Sequence, residues 1–166
     1  YLLDHSPLLK PLRARVCAKD QLPSEKPHDV KAYIVNTHNG NQPGEHWVAL
    51  YLKDNKAVYF DSYGLPPFEE ILTFVKKHAN KTYLWNAMRI QGDMLPVCGV
   101  YCLFALDFIS RECDLNQILL TRFKPDMYGK NDTYVTHWFQ QYYGTYYMHA
   151  QYVNKCGQKC CAQRNS

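Results

Sequence analysis

Four residues of this chain have the types and order that acyl transfer to a thiol would require: His46, Asp61, Gln91 and Cys98. A cysteine attacks a carbonyl as its thiolate, and a free thiol with a pKa of about 8.5 is mostly protonated at neutral pH. Cys98 stands where the loop Gly92-Asp93-Met94-Leu95-Pro96-Val97 runs into the apolar segment CGVYCLFALDFIS. If that segment is a helix, its positive N-terminal end and a nearby imidazolium both favour the anion. Gly99, next in the chain, has no side chain to obstruct an approaching carbonyl. Alone, a Cys-Gly pair describes inert core packing equally well, since free cysteine is among the most buried residue types.

His46 and Trp47 follow the glycine-containing loop Asn39 to Glu45 and open an apolar run, which puts the imidazole at a strand end. Asp61 comes fifteen residues later, at the end of the next such run. A carboxylate there accepts the second imidazole N–H, fixes the tautomer and stabilises the cation. The plainer accounts are a surface histidine and a turn aspartate before Ser62-Tyr63-Gly64. Gln91 precedes Cys98 by seven residues. An amide N–H close to the helix start, together with the backbone N–H of Cys98, would meet a developing oxyanion, a contribution of order 10²–10³ in rate.

The elements that must position these side chains are readable from the pattern. Lys31–Asn36 (KAYIVN), His46–Lys53 (HWVALYLK) and Lys56–Asp61 (KAVYFD) are rich in β-branched and aromatic residues and predict three strands, the last two joined as a hairpin. Phe68, Ile71, Leu72 and Val75 recur at helical spacing, with Glu69 and Glu70 in the first turn and Lys76, Lys77 and His78 in the last. A further strand is expected from Thr82 to Gln91. Cys98 to Ser110 is apolar on every face and predicts a central buried helix, which makes the fold α+β, the helix packing on a mixed sheet. Two more helices are expected, near Asp114–Arg122 and near Asp132–Tyr143, the second closed by Gly144 as its C′ residue. Residues 1–30, with Pro7, Pro11, Pro23 and Pro27, read as irregular.

At 166 residues with 46% hydrophobic composition, the chain is long enough for one domain with a real core, expected over residues 1–144, followed by a basic tail over 145–166. A formal charge of +4 and a pI near 8.6 permit contact with nucleic acid but fall short of a dedicated binder, whose pI exceeds about 9. No run approaches the roughly 18 apolar residues of a membrane span, and the first residues lack a signal peptide's basic and apolar regions. The expectation is a soluble intracellular protein with no membrane partner. Seven cysteines leave at least one thiol unpaired, which argues against a disulfide scaffold. The chain begins with Tyr1 rather than methionine, as a fragment or a cleaved product would.

The tail offers two further chemistries. Cys156, Cys160 and Cys161, with His149, have zinc-ligand types, but C-x₃-C-C lacks the usual paired spacing, and no metal site is expected. Tyr142, Tyr143, Tyr146, Tyr147 and Tyr152, interleaved with Lys155, Lys159 and Arg164, suit stacking on nucleic acid or simple helix-end packing.

The run IVNTHNGNQPGEHWVALYLKDNKAVYFDSYG and the block from Gln91 through Cys98-Gly99 resemble the corresponding segments of the adenain-type cysteine endopeptidases of adenoviruses and Polinton-type elements. SUMO-specific proteases share the order His-Trp, Asp, Gln, Cys-Gly. Asp20-Gln21-Leu22-Pro23 and Asn131-Asp132 resemble the Polinton-type branch. The resemblance spans roughly Arg15 to Tyr143, although adenain has Glu where Asp61 stands, and the N-terminal segment matches poorly. It implies a papain-like core and a catalytic set of His46, Asp61, Gln91 and Cys98; Trp47, narrowing the channel to the reacting carbonyl, and Gly99, leaving room for it, are the expected substrate contacts. It also implies polypeptide substrates such as capsid or core precursors, a monomer, no cofactor needed for the chemistry, and activation by DNA or a peptide. The place of action would be the virion or host nucleus. Release of SUMO or ubiquitin-like proteins, and a catalytically silent binding domain of the same fold, are the rival readings.

Overall fold

The computed structural model describes residues 6, 9–25, 28–79, 83–111 and 113–144. Five strands form one sheet in the order β1 (Arg15–Ala18), β2 (Ala32–Asn36), β3 (Trp47–Lys53), β4 (Lys56–Phe60), β5 (Tyr83–Trp85). The two outer pairings, β1 with β2 and β4 with β5, are parallel, and the two inner ones are antiparallel. The helices are α1 (Glu69–His78), α2 (Cys98–Ser110), α3 (Leu115–Arg122) and α4, over residues 128–144.

Side chains alternate across a pleated strand, so β2 and β3 must cover two cores. Ala32, Ile34, Ala49 and Tyr51 join α2 and residues of α3 and α4 in one apolar cluster. Tyr33, Val35, Val48, Leu50 and Leu52 join Ile71, Phe74 and Val75 of α1 in another. All five residues of β2 are buried, as a strand covered on both faces requires. Tyr101, Phe104 and Leu106 of α2 are almost completely buried, and each such side chain contributes about 1.5–3 kcal/mol on leaving water. The burial fixes the helix, and the helix fixes where Cys98 stands.

The β3–β4 hairpin closes through Asp54 and Asn55, both in the left-handed region, the turn geometry that matches strand twist. Helix α2 has the bounds expected, and α3 is capped by the Asp114 side chain, which accepts from the Gln117 N–H at 2.9 Å.

Four expectations are corrected. The strand expected from Thr82 to Gln91 is only Tyr83–Trp85, because the Ile90 and Gln91 N–H groups both bond to the Ser62 carbonyl, at 2.9 and 3.1 Å, instead of a ladder. The N-terminal region is not wholly irregular: Arg15–Ala18 adds edge strand β1, and its four residues are too few to show a period. Helix α4 begins at residue 128, before Asn131 and Asp132, whose side chains turn inward rather than cap. Gly144 is itself helical and lacks the positive φ of a C′ glycine. Cys156, Cys160, Cys161, His149 and the tyrosines beyond residue 144, with the zinc and nucleic-acid chemistry weighed for them, lie outside the described residues.

Gly64 turns the chain after β4 at φ +70, and a Cβ there would stand 2.7 Å from the Met88 carbonyl carbon. Neither the backbone angle nor the contact tolerates a side chain. Gly64→Ala is expected to lower stability by about 2 kcal/mol or more, read from the urea midpoint; wild-type unfolding would contradict it.

Candidate active site

His46 immediately precedes β3 and Asp61 immediately follows β4, so the antiparallel register brings both to one end of the hairpin. The His46 Nε2 lies 2.8 Å from the Asp61 Oδ1, and both residues are buried. The Cys98 thiol lies beside the imidazole and is coupled to it. The His46, Asp61 and Cys98 side chains are thus brought into one contiguous chain of contacts.

Cys98 is the first residue of α2, where the leading N–H groups have no intrahelical acceptor. Burial opposes its anion, yet hydrogen bonds from His46 and from the backbone N–H groups of Trp47 and Gly99 outweigh burial and hold the thiol below its ordinary value. Burial likewise opposes the His46 cation, but bonds to Asp61 and Cys98 raise its pKa to about 9. The arrangement favours the thiolate over the thiol and the imidazolium over the neutral ring. Cys17 and Cys102 behave oppositely: burial pushes Cys17 up to about 11 and lifts Cys102 well above the thiol range.

Asp61 is held in turn. Its Oδ1 accepts the Tyr63 N–H at 2.7 Å, and its own N–H donates to the Asn86 Oδ1 at 2.9 Å, while the Asn86 amide donates back to the Asp61 carbonyl. Tyr63 lies over the imidazole, ring centroids 4.7 Å apart, and Arg89 sits between the rings of Tyr63 and Tyr128 at 5.0 and 4.9 Å.

Gln91 is buried and joins the group through its neighbours. Its Oε1 accepts from the Ser62 Oγ at 2.6 Å and its Nε2 donates to the Leu95 carbonyl at 3.1 Å. The flanking backbone is clamped by helices α2 and α4. Asn131 donates to the Ile90 carbonyl at 3.0 Å, and the Asp132 carboxylate accepts the Gly92 N–H at 3.3 Å and the Tyr101 hydroxyl at 2.9 Å. Ser62, Asn86, Asn131 and Asp132 have no local sequence signal for these roles: their partners are 25 to 41 residues away, and isolated polar residues carry no period.

Trp47 is half-buried beside Gly99; a Cβ on Gly99 would stand 3.9 Å from the indole Cδ1. From Trp47 a cleft of about 500 Å³ runs over the ends of β1 and β2, lined by Gln21, Asn36, Asn39, Gln42 and Glu45 among others.

No family model matches the chain. It is 37% identical over 93 residues to the "Putative thiol protease R355" of Acanthamoeba polyphaga mimivirus, an alignment covering 49% of this chain and 30% of that protein. The chain therefore spans under a third of the length of that relative. Among solved structures it is similar to the ASFV pS273R protease (18% identity, 69% of this chain and 44% of that one, TM-score 0.48). It is also similar to the Ulp1 protease domain in complex with Smt3, the yeast ortholog of SUMO (14% identity, 64% and 49%, TM-score 0.37).

At about pH 6, where ordinary thiols are protonated, iodoacetamide is expected to label Cys98 well ahead of Cys17, Cys102 and Cys113, mapped by mass. Asp61→Asn should slow that labelling several-fold by weakening the imidazolium. Equal labelling of Cys17 or Cys113 would remove the low-pKa assignment.

Proposed function

We propose that this chain is a thiol endopeptidase with Cys98 as nucleophile. The observation that carries the reading is the His46 imidazole, bonded at 2.8 Å to Asp61 and set beside the thiol at the start of α2. The Cys98 thiolate attacks the scissile carbonyl. His46 gives its proton to the leaving amine, and the acyl group stays on sulfur as a thioester. His46 then takes a proton from water, which attacks the thioester and regenerates the thiolate. Asp61 holds the imidazole throughout. The spare N–H of Gln91 and the backbone N–H of Cys98 receive the oxyanion. The name of the mimivirus relative supports thiol protease chemistry.

The finer reading is adenain-like: a papain-like core that cuts viral or mobile-element precursors, capsid or core proteins among them, at glycine-containing sites. Trp47 beside Gly99 supports the glycine preference, because an aromatic wall next to the nucleophile favours a residue without a side chain. The polar cleft leading from Trp47 supports an extended polypeptide substrate. Stimulation by DNA or a peptide, a monomeric state, and action in a virion or host nucleus rest on the sequence resemblance and belong to the same proposal. The organisation into one protease domain over 1–144 and a basic tail over 145–166 belongs to it as well.

Cys98→Ala and His46→Ala are expected to abolish peptide cleavage, Asp61→Asn to leave a residual rate, and Gln91→Ala to cost on the order of 10²–10³ in kcat. Wild-type kinetics in the Gln91 variant would take it out of the oxyanion hole.

Activity should rise with pH as the Cys98 thiol ionises, earlier than a free thiol would, and fall above about 9 as the His46 imidazolium loses its proton. A profile that climbs steadily through pH 9 would contradict the imidazolium's role. Substrate class is tested by running a Gly-x-Gly peptide library beside SUMO and ubiquitin C-terminal electrophile probes, with and without double-stranded DNA at low salt. Library cleavage is expected. Capture by a SUMO or ubiquitin probe without library cleavage would replace the endopeptidase reading, and an inert Cys98 would leave a binding domain.

A further inference from the structure

Ser62 occupies a position that neither the triad nor the oxyanion donor accounts for. It is completely buried directly after Asp61, and it holds Gln91 twice. Its carbonyl accepts the Ile90 and Gln91 N–H groups, and its hydroxyl donates to the Gln91 Oε1 at 2.6 Å.

The amide of Gln91 has two ends of opposite character. Its nitrogen faces the Leu95 carbonyl, which can only accept, and the Ser62 hydroxyl satisfies its oxygen. A primary amide carries two N–H bonds, so one remains after Leu95 is served. If the amide turned over, its oxygen would meet the Leu95 carbonyl, acceptor against acceptor. That same oxygen would face the charge developing on the substrate where an N–H had pointed. A donor that stabilises the oxyanion would become a group that repels it.

We infer that Ser62 is a positioning residue for the oxyanion hole: the Leu95 carbonyl sets which end of the Gln91 amide is which, and Ser62 holds that amide in place, its carbonyl on the Gln91 backbone N–H and its hydroxyl on the Oε1. The inference rests on Cys98 being the nucleophile and Gln91 the oxyanion donor. Consecutive residues then serve the two halves of the machinery. Asp61 orients the base, and Ser62 orients the electrophilic arm. Both leave the same strand end, so the halves stay in register with each other.

Two probes of the purified chain separate this role from general stability. Iodoacetamide alkylates the thiolate without creating an oxyanion. A short peptide ending in glycinal adds its carbonyl carbon to the sulfur: the C–S bond forms as the C=O π pair moves onto oxygen, which then occupies the oxyanion hole. In Ser62→Ala, alkylation of Cys98 should stay within about twofold of wild type, while aldehyde affinity should fall by about tenfold or more, part of the loss expected from removing the donor outright. Ser62→Cys, with a weak S–H donor in similar space, should fall between the two, and it carries the comparison if the alanine variant does not fold. Unchanged aldehyde affinity alongside fast alkylation would overturn the role of Ser62 and leave the proposed function standing. Slow alkylation of wild-type Cys98 would overturn that reading and this inference together.

Discussion

The structure depends on a buried charge problem being solved at one point. A thiol held below its ordinary pKa, an imidazole held above its own and the Asp61 side chain meet away from water, and an unpartnered buried charge costs several kcal/mol. Here none is unpartnered. Cys98 receives His46 and two backbone N–H groups, and His46 is bonded on both sides. Asp61 also takes the Tyr63 N–H. Burial, which alone would neutralise the thiol and the imidazole, strengthens their mutual bonds once the partners are in place.

Three rigid pieces deliver those partners. The β3–β4 hairpin carries His46 and Asp61 at one end, and its antiparallel register allows no other relative placement. Helix α2 carries Cys98 on its first turn and is pinned by the core around Tyr101, Phe104 and Leu106. The segment 86–92 lacks regular structure, so its order comes from individual bonds: Asn86 on Asp61, the Ser62 carbonyl and hydroxyl on Ile90 and Gln91, Asn131 on Ile90 and Asp132 on Gly92. Outside a ladder, the Gln91 side chain bonds instead to Ser62 and to the Leu95 carbonyl in the loop that leads to α2.

What the sequence makes legible follows from how local each cause is. Helix α2 is readable to its bounds because an unbroken apolar run of that length has one economical solution. Strands β2, β3 and β4 are readable from their β-branched and aromatic content, and the hairpin follows from the short Asp54-Asn55 joint. His46 and Asp61 are therefore findable as strand-end residues, and Cys98 as a helix-start residue. Strand β1 is hidden because Arg15–Ala18 is short and half exposed, and forms only by pairing with β2. Ser62, Asn86 and Asp132 are hidden because their roles exist only across contacts of 25 to 40 residues. Asn131 and Asp132 read as a helix start and instead reach back to the Gln91 segment from the first turns of α4.

The central claim is that Cys98 is a thiolate because His46 beside it is a cation. The direct measurement is the ultraviolet absorption of the thiolate as a function of pH, taken as the difference between the wild-type chain and Cys98→Ala. Thiolate absorption is expected to appear below the ordinary thiol pKa of about 8.5 and to retreat toward it in His46→Ala. A wild-type difference spectrum that appears only near that ordinary pKa, unmoved by the histidine substitution, would contradict it.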